Sequence, residues 1–94
     1  MFEPDQALTL DGERAVWREI GEEVIILDVP TATYLNLNGS ARALWKRLDA
    51  GATPVELADE LVAKFGIPQE QAAHDVEGFL EALQEWSLLS SVTP

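Results

Sequence analysis

The sequence predicts an α+β fold in which a three-stranded antiparallel β-meander is followed by three α-helices. Short β-favouring runs separated by turn residues occupy the first third of the chain. Three later segments carry apolar side chains at helical spacing, each bounded by residues that begin or end helices. With 94 residues, 47% of them hydrophobic, we expect a single domain over residues 1–94.

The predicted strands are short apolar segments at residues 7–10, 15–20 and 22–29. Asp11-Gly12 tolerates the positive φ of a type I′ turn, so the first two strands are expected to form a hairpin. Gly21 introduces the third strand, whose Val-Ile-Ile-Leu run is the strongest β-branched stretch of the chain before Pro30. Residues 31–37 are predicted to be a connector that tucks under the sheet.

Helical spacing of apolar residues predicts three helices, at residues 39–49, 54–65 and 69–86. Thr53 and Glu56 form a capping box around Pro54, which marks the start of the second helix. Gly66 is placed to end that helix in the left-handed conformation. Gly78 lies inside the third helix, where it is expected to allow close approach of another element, the sheet being the simplest candidate.

Composition excludes several classes of function. Seventeen Asp and Glu against six Lys and Arg give a net charge of -11, which opposes binding to nucleic acid phosphates or anionic lipid. The chain has no Cys, and its one histidine, His74, is expected to be a solvated helix-surface residue. We therefore expect no enzyme activity, cofactor or functional metal. With no signal sequence or membrane span, we expect a cytoplasmic protein.

The order of elements is winged-helix-like, which makes a transcription regulator the alternative to consider. The helix that would enter a major groove is the third, and it carries only acidic charges, at Glu70, Asp75, Glu77, Glu81 and Glu85. Such a helix repels DNA, so nucleic acid is not an expected partner.

The third predicted strand is expected to be an open edge. In a meander it pairs with the second strand, and no evident fourth strand covers its other side. Its apolar run contains no Lys or Pro to discourage pairing, which suits a strand that accepts an extended peptide. Spacing alone leaves open an equal alternative, in which the strand is central or is covered by residues 34–37 or by the C-terminal tail.

Several short motifs along the chain together form a recognisable pattern: Tyr34-Leu35-Asn36-Leu37-Asn38, Ala43-Leu44-Trp45, the Gly51 turn into Val55-Glu56-Leu57-Ala58, Asp75-Val76, Phe79-Leu80, Leu83 and Leu88-Leu89. With these motifs the chain resembles the PqqD-like family of RiPP recognition elements, small domains that hold the leader segment of ribosomally made precursor peptides for modifying enzymes. It is most similar to the stand-alone proteins of lasso-peptide pathways.

The resemblance implies that a leader peptide adds as a strand to strand three and that its side chains enter a groove against helix three. Carried over to this sequence, the implied peptide-binding residues are Glu23, Val24, Ile25, Ile26, Leu27, Asp28, Asp75, Val76 and Phe79. Ile25 and Leu27 are expected to face the groove, because the other phase would place Asp28 there. A one-residue change of register exchanges them with Val24 and Ile26.

The sequence and the resemblance together lead to a non-catalytic protein that captures a precursor leader peptide, from a lasso peptide pathway, by strand addition. The partners implied are a separate leader peptidase and a cyclase, and the peptide-free protein is expected to be a monomer. The alternatives are the winged-helix-like regulator and an adaptor that forms a strand-swapped homodimer.

Overall fold

The computed structural model describes residues 2–91. Its elements, in chain order, are β1 (Leu8–Leu10), β2 (Ala15–Ile20), β3 (Glu23–Asp28), β4 (Thr33–Leu37), α1 (Gly39–Asp49), α2 (Pro54–Phe65), α3 (Gln69–Glu85) and β5 (Leu89–Ser91). Strands β2, β3 and β4 form one antiparallel sheet in that order, and β1 pairs with β5 in a second, two-stranded sheet. The architecture is thus an antiparallel three-stranded sheet followed by three helices, as predicted, with a small extra sheet.

The predicted hairpin between the first two strands is wrong. Strand β1 pairs instead with the C-terminal strand, Leu10 lying opposite Leu89. Asp11 ends β1 by starting a tight turn: its carbonyl accepts from the amides of Arg14 and Ala15, and its carboxylate accepts from the Glu13 amide. An Asp carboxylate that accepts a hydrogen bond from the amide two residues later in the chain favours such a turn over a hairpin.

The predicted connector contains a strand, and this changes the role of β3. Strand β4 pairs with β3 along its length, from Val24 opposite Leu37 to Asp28 opposite Thr33. Strand β3 pairs on its other side with β2. The open-edge prediction for residues 22–29 is therefore wrong, and the central-strand alternative is confirmed. Within the apolar run, Val24 and Ile26 are buried, whereas Ile25 and Leu27 are half-buried on the other face of the sheet.

Helix boundaries follow the local signals closely. The first two helices have the predicted bounds, and α3 ends at Glu85, one residue before the predicted end. The Glu56 amide donates to Thr53 Oγ1 at 3.2 Å, and the Thr53 amide donates to the Glu56 carboxylate at 2.9 Å. That backbone hydrogen bond is the main reason the pKa of Glu56 lies below its usual value. Gly66 ends α2 at φ 65°.

The hydrophobic core lies between the helices and one face of the sheet. Trp45 of α1 is fully buried, and the ring of Trp17 from β2 meets it edge to face, with centroids 6.1 Å apart. Val24 and Ile26 of β3 enter the same core. No helix in the part of the chain that the structure describes is long and apolar enough to cross a membrane.

Candidate functional site

The three-stranded sheet has two outer edges, β2 and β4. The Val29 amide donates to the Arg14 carbonyl, which fixes the phase of the antiparallel ladder between β2 and β3. The backbone groups of successive residues in a strand point to opposite edges. The amides and carbonyls of Val24, Ile26 and Asp28 therefore point toward β4. The amides and carbonyls of Tyr34 and Asn36 consequently point away from β3. Within residues 2–91 no strand pairs with this edge of β4.

The edge of β2 differs because charged side chains protect it. Arg18 and Glu19 lie within the strand, and Glu19 is bound by Arg42 and Lys46 of α1. The hydrogen bond from Arg42, followed by that from Lys46, holds the pKa of the Glu19 carboxyl below its usual value. Charged residues on an edge strand discourage pairing with another chain. By contrast, β4 contains neither a charged residue nor a proline.

A groove opens where β4 leads into α1. Its volume is about 420 Å³, and its walls come from the first turns of α1 and the middle of α3: Ser40, Ala41, Leu44, His74, Asp75, Gly78 and Phe79. A Cβ added to Gly78 would have no atom within 4 Å among the neighbours described, so the sheet does not approach this glycine as the sequence suggested. The missing side chain instead widens the groove.

The structure separates the predicted site residues of β3 into two faces. Val24, Ile26 and Asp28 are buried on the face that the helices cover, whereas Ile25 and Leu27 lie with Glu23 on the opposite face. The expectation that Ile25 and Leu27 face a groove against α3 is therefore wrong.

The phase was misjudged because Asp28 is buried despite its charge. Arg14 Nε donates to its carboxylate at 3.0 Å, and Thr31 Oγ1 donates at 2.6 Å. These two donors satisfy a carboxylate that is only 1% exposed. A charged residue can thus occupy the core-facing phase of a strand.

The three predicted residues of α3 divide between two cavities. Asp75 and Phe79 line the groove beside β4. Val76 is 2% exposed and points instead into the core, where it also borders a second cavity between α2 and α3. Whether any of the predicted residues contacts a peptide stays a prediction.

Sequence reasoning missed the edge residues Tyr34 and Asn36. The alternation typical of a strand was present, since the side chains of Tyr34 and Asn36 are exposed, whereas Leu35 and Leu37 pack against the core. The sequence pattern predicts only a connector over residues 31–37, although residues 34–38 carry the family resemblance.

Among residues 2–91, the side chains at this site form a binding surface and no evident catalytic arrangement. Within residues 2–91, no three His, Cys, Asp or Glu side chains lie close enough together to hold a metal ion. What the site presents is unpaired strand backbone near a groove of mixed character, with the apolar Leu44 and Phe79 and the polar Ser40, His74 and Asp75 on its wall. This combination suits an extended peptide, whose backbone completes the sheet.

Solved structures of other proteins share this fold. The solved structure "TbiB1 in Complex with the TbiA(beta) Leader Peptide" is 27% identical, has a TM-score of 0.81 and is matched over 92% of this chain and 99% of that one. "Lasso peptide synthetase B1 complexed with the leader peptide" shares the fold at 20% identity, with a TM-score of 0.78 over 88% of this chain and 96% of that one.

A search of curated proteins found no match. The sequence profile described as "Coenzyme PQQ synthesis protein D (PqqD)" matches residues 23–89, which is well over half of the chain. The sequence motifs, the fold and this match lead to one conclusion: the chain belongs to the PqqD family.

Proposed function

We propose that this protein captures the leader segment of a ribosomally made precursor peptide, of the lasso class, by adding it as a strand to the free edge of β4. The observation that carries the proposal is the uncharged, unpaired edge of β4 beside the groove between α1 and α3. The two solved relatives support it, because both were determined with a leader peptide bound.

Two kinds of contact would hold the peptide. Tyr34 and Asn36 each offer an outward amide and carbonyl, which give affinity that depends little on the peptide's sequence. Alternate peptide side chains on the helix side would reach the groove, where Leu44 and Phe79 offer apolar surface and Asp75 a carboxylate. Ordering the peptide costs roughly 2–5 kcal/mol, so one or two well-buried anchors decide the affinity.

The second half of the proposal concerns delivery. We assign the protein a non-catalytic role in the cytoplasm, in which it presents the leader-bound precursor to a separate leader peptidase and then to a cyclase. Its small size and the binding character of the site support this role. Holding the leader raises the local concentration of the rest of the precursor at any enzyme that binds the complex.

A proline scan of the two sheet edges tests the capture site. Asn36→Pro removes an outward amide of β4 and leaves the hydrogen bonds to β3 in place, because this amide does not point toward β3. We expect it to weaken binding of a synthetic leader of about 20 residues by tenfold or more, equivalent to about 1.4 kcal/mol. Calorimetric titration measures the change.

The matched control is Glu19→Pro, which removes an outward amide from the opposite edge of the same sheet. It should leave leader affinity within about twofold of the wild type. Equal loss in both variants, or loss only in Glu19→Pro, would contradict addition at β4. Amide shifts of the labelled protein during the same titration would show whether residues 33–37 are the ones perturbed.

A further inference from the structure

The face of the sheet that the helices do not cover is largely apolar. Val16, Leu27 and Tyr34 lie side by side across its three strands, and Arg18 lies beside Ile25 in the next row. Val16 is 60% exposed and Tyr34 is 67% exposed. Together with Ile20 these residues border a shallow depression of about 320 Å³. We call this surface the outer sheet face.

Arg18 is unusual among the cations of this acidic chain. The other five, which all lie in ion pairs, are Arg14 with Asp28, Arg42 and Lys46 with Glu19, Arg47 with Glu56, and Lys64 with Glu60. Within residues 2–91 Arg18 has neither an ion pair nor a side-chain hydrogen bond, although the sequence contains 17 carboxylate residues. Arg18 thus lies on the edge strand β2 without an ion pair, between Val16 and Ile20 along the strand and beside Ile25 of β3.

We infer that the outer sheet face is the docking surface for the leader peptidase, and that a carboxylate of this peptidase pairs with Arg18. The inference rests on the proposed function. Arg and Tyr are enriched at the centres of protein interfaces, where apolar neighbours exclude water from them. An Arg–carboxylate pair in such surroundings is directional and selective. The leader uses the backbone edge of β4 and the groove on the helix side of the sheet, whereas the outer sheet face, which includes the Tyr34 side chain, lies on the other side, so both partners can bind at once.

Charge favours this occupant over a second copy of the chain. A symmetric dimer formed through the outer sheet face would bring together two copies of a chain that each carry a net charge of -11. An apolar surface with a carboxylate placed opposite Arg18 complements the outer sheet face better.

The test uses the purified leader peptidase that cleaves the cognate precursor as the probe, with the intact protein immobilised. Arg18→Glu is expected to weaken peptidase binding at least tenfold. Lys64→Glu makes the same change in net charge on α2 and should leave binding within about twofold. Val16→Ser should weaken binding by severalfold, whereas Val55→Ser, at a residue also about half exposed, should not.

A second measurement locates the partner's carboxylate. Arg18→Lys keeps the positive charge and introduces an amine, which a carbodiimide joins to a facing carboxylate as an amide with loss of water. Mass spectrometry should find position 18 linked to one acidic residue of the peptidase. The inference is overturned if Arg18→Glu does not weaken peptidase binding, or if crosslinks to the peptidase form only from other positions.

Two controls separate this inference from the proposed function. Arg18→Glu should bind the leader peptide as tightly as the wild type does. If the wild type binds no leader, the proposed function fails. If it binds leader but its binding to the peptidase does not depend on Arg18, only the inferred docking surface fails.

The protein alone is also examined by sedimentation equilibrium. A dimer that forms in the wild type and is lost in Arg18→Glu would overturn the inference, because the outer sheet face would then bind a second copy.

Discussion

Asp28 controls the phase of the central strand. Its buried carboxylate accepts from Arg14 and Thr31, and this pairing lets residues 24, 26 and 28 all face the core. Ile25 and Leu27 are thereby placed on the outer sheet face, away from the leader groove. No spacing rule in the sequence indicates that a carboxylate will be buried, because the donors that satisfy it come from two turns, one before β2 and one between β3 and β4.

Arg14→Ala tests this account of Asp28. Without the guanidinium, a carboxylate that is 1% exposed keeps Thr31 as its one remaining side-chain donor among the residues described. We expect the free energy of unfolding, measured with urea, to fall by about 2 kcal/mol. Lys64→Ala, which breaks the exposed pair with Glu60, should cost roughly 0.3 kcal/mol. Equal losses in the two variants would show that Asp28 is stable without its ion pair.

At the scale of elements, helices were predictable and strand pairing was not. The bounds of α2 follow from Thr53, Glu56 and Gly66, and each of these signals acts within one turn of the helix. Strand pairing depends on contacts between distant segments, such as β1 with β5. A β-favouring segment therefore identifies a strand but not its neighbours, and this is why the free edge was assigned to β3 instead of β4.

Glu19 links two elements, because it joins β2 to Arg42 and Lys46 of α1. Since folding lowers its pKa, this carboxyl adds stability above the pKa it has in the unfolded chain, and the gain is lost as the pH falls through the lower folded-state pKa.

Urea unfolding of wild type and Glu19→Gln across the pH range tests this link. The wild type should be the more stable above about pH 5, and the difference should shrink as acid protonates Glu19. The glutamine is uncharged throughout and resembles the protonated acid in shape, so the two proteins should converge at low pH. A difference that stays constant from neutral to acid pH would mean that the ion pairs contribute nothing.

At the scale of the whole molecule, the sheet separates two surfaces. The free edge of β4 and the groove of α1 and α3 form the proposed leader site, and the outer sheet face carries Arg18, the proposed contact of a second partner. The sequence predicted the fold class and the family, and it placed Asp75 and Phe79 at the groove. It did not predict this division, which depends on which strand is central.

Hydrogen exchange of individual amides, with and without saturating leader peptide, tests the central claim most directly. Strand addition at β4 should slow exchange at Tyr34 and Asn36, because these outward amides gain hydrogen-bond acceptors from the peptide. The outward amides of Trp17 and Glu19 on β2 should exchange as in the free protein. Unchanged exchange at Tyr34 and Asn36 in the saturated complex, or slowing confined to Trp17 and Glu19, would contradict leader capture at β4.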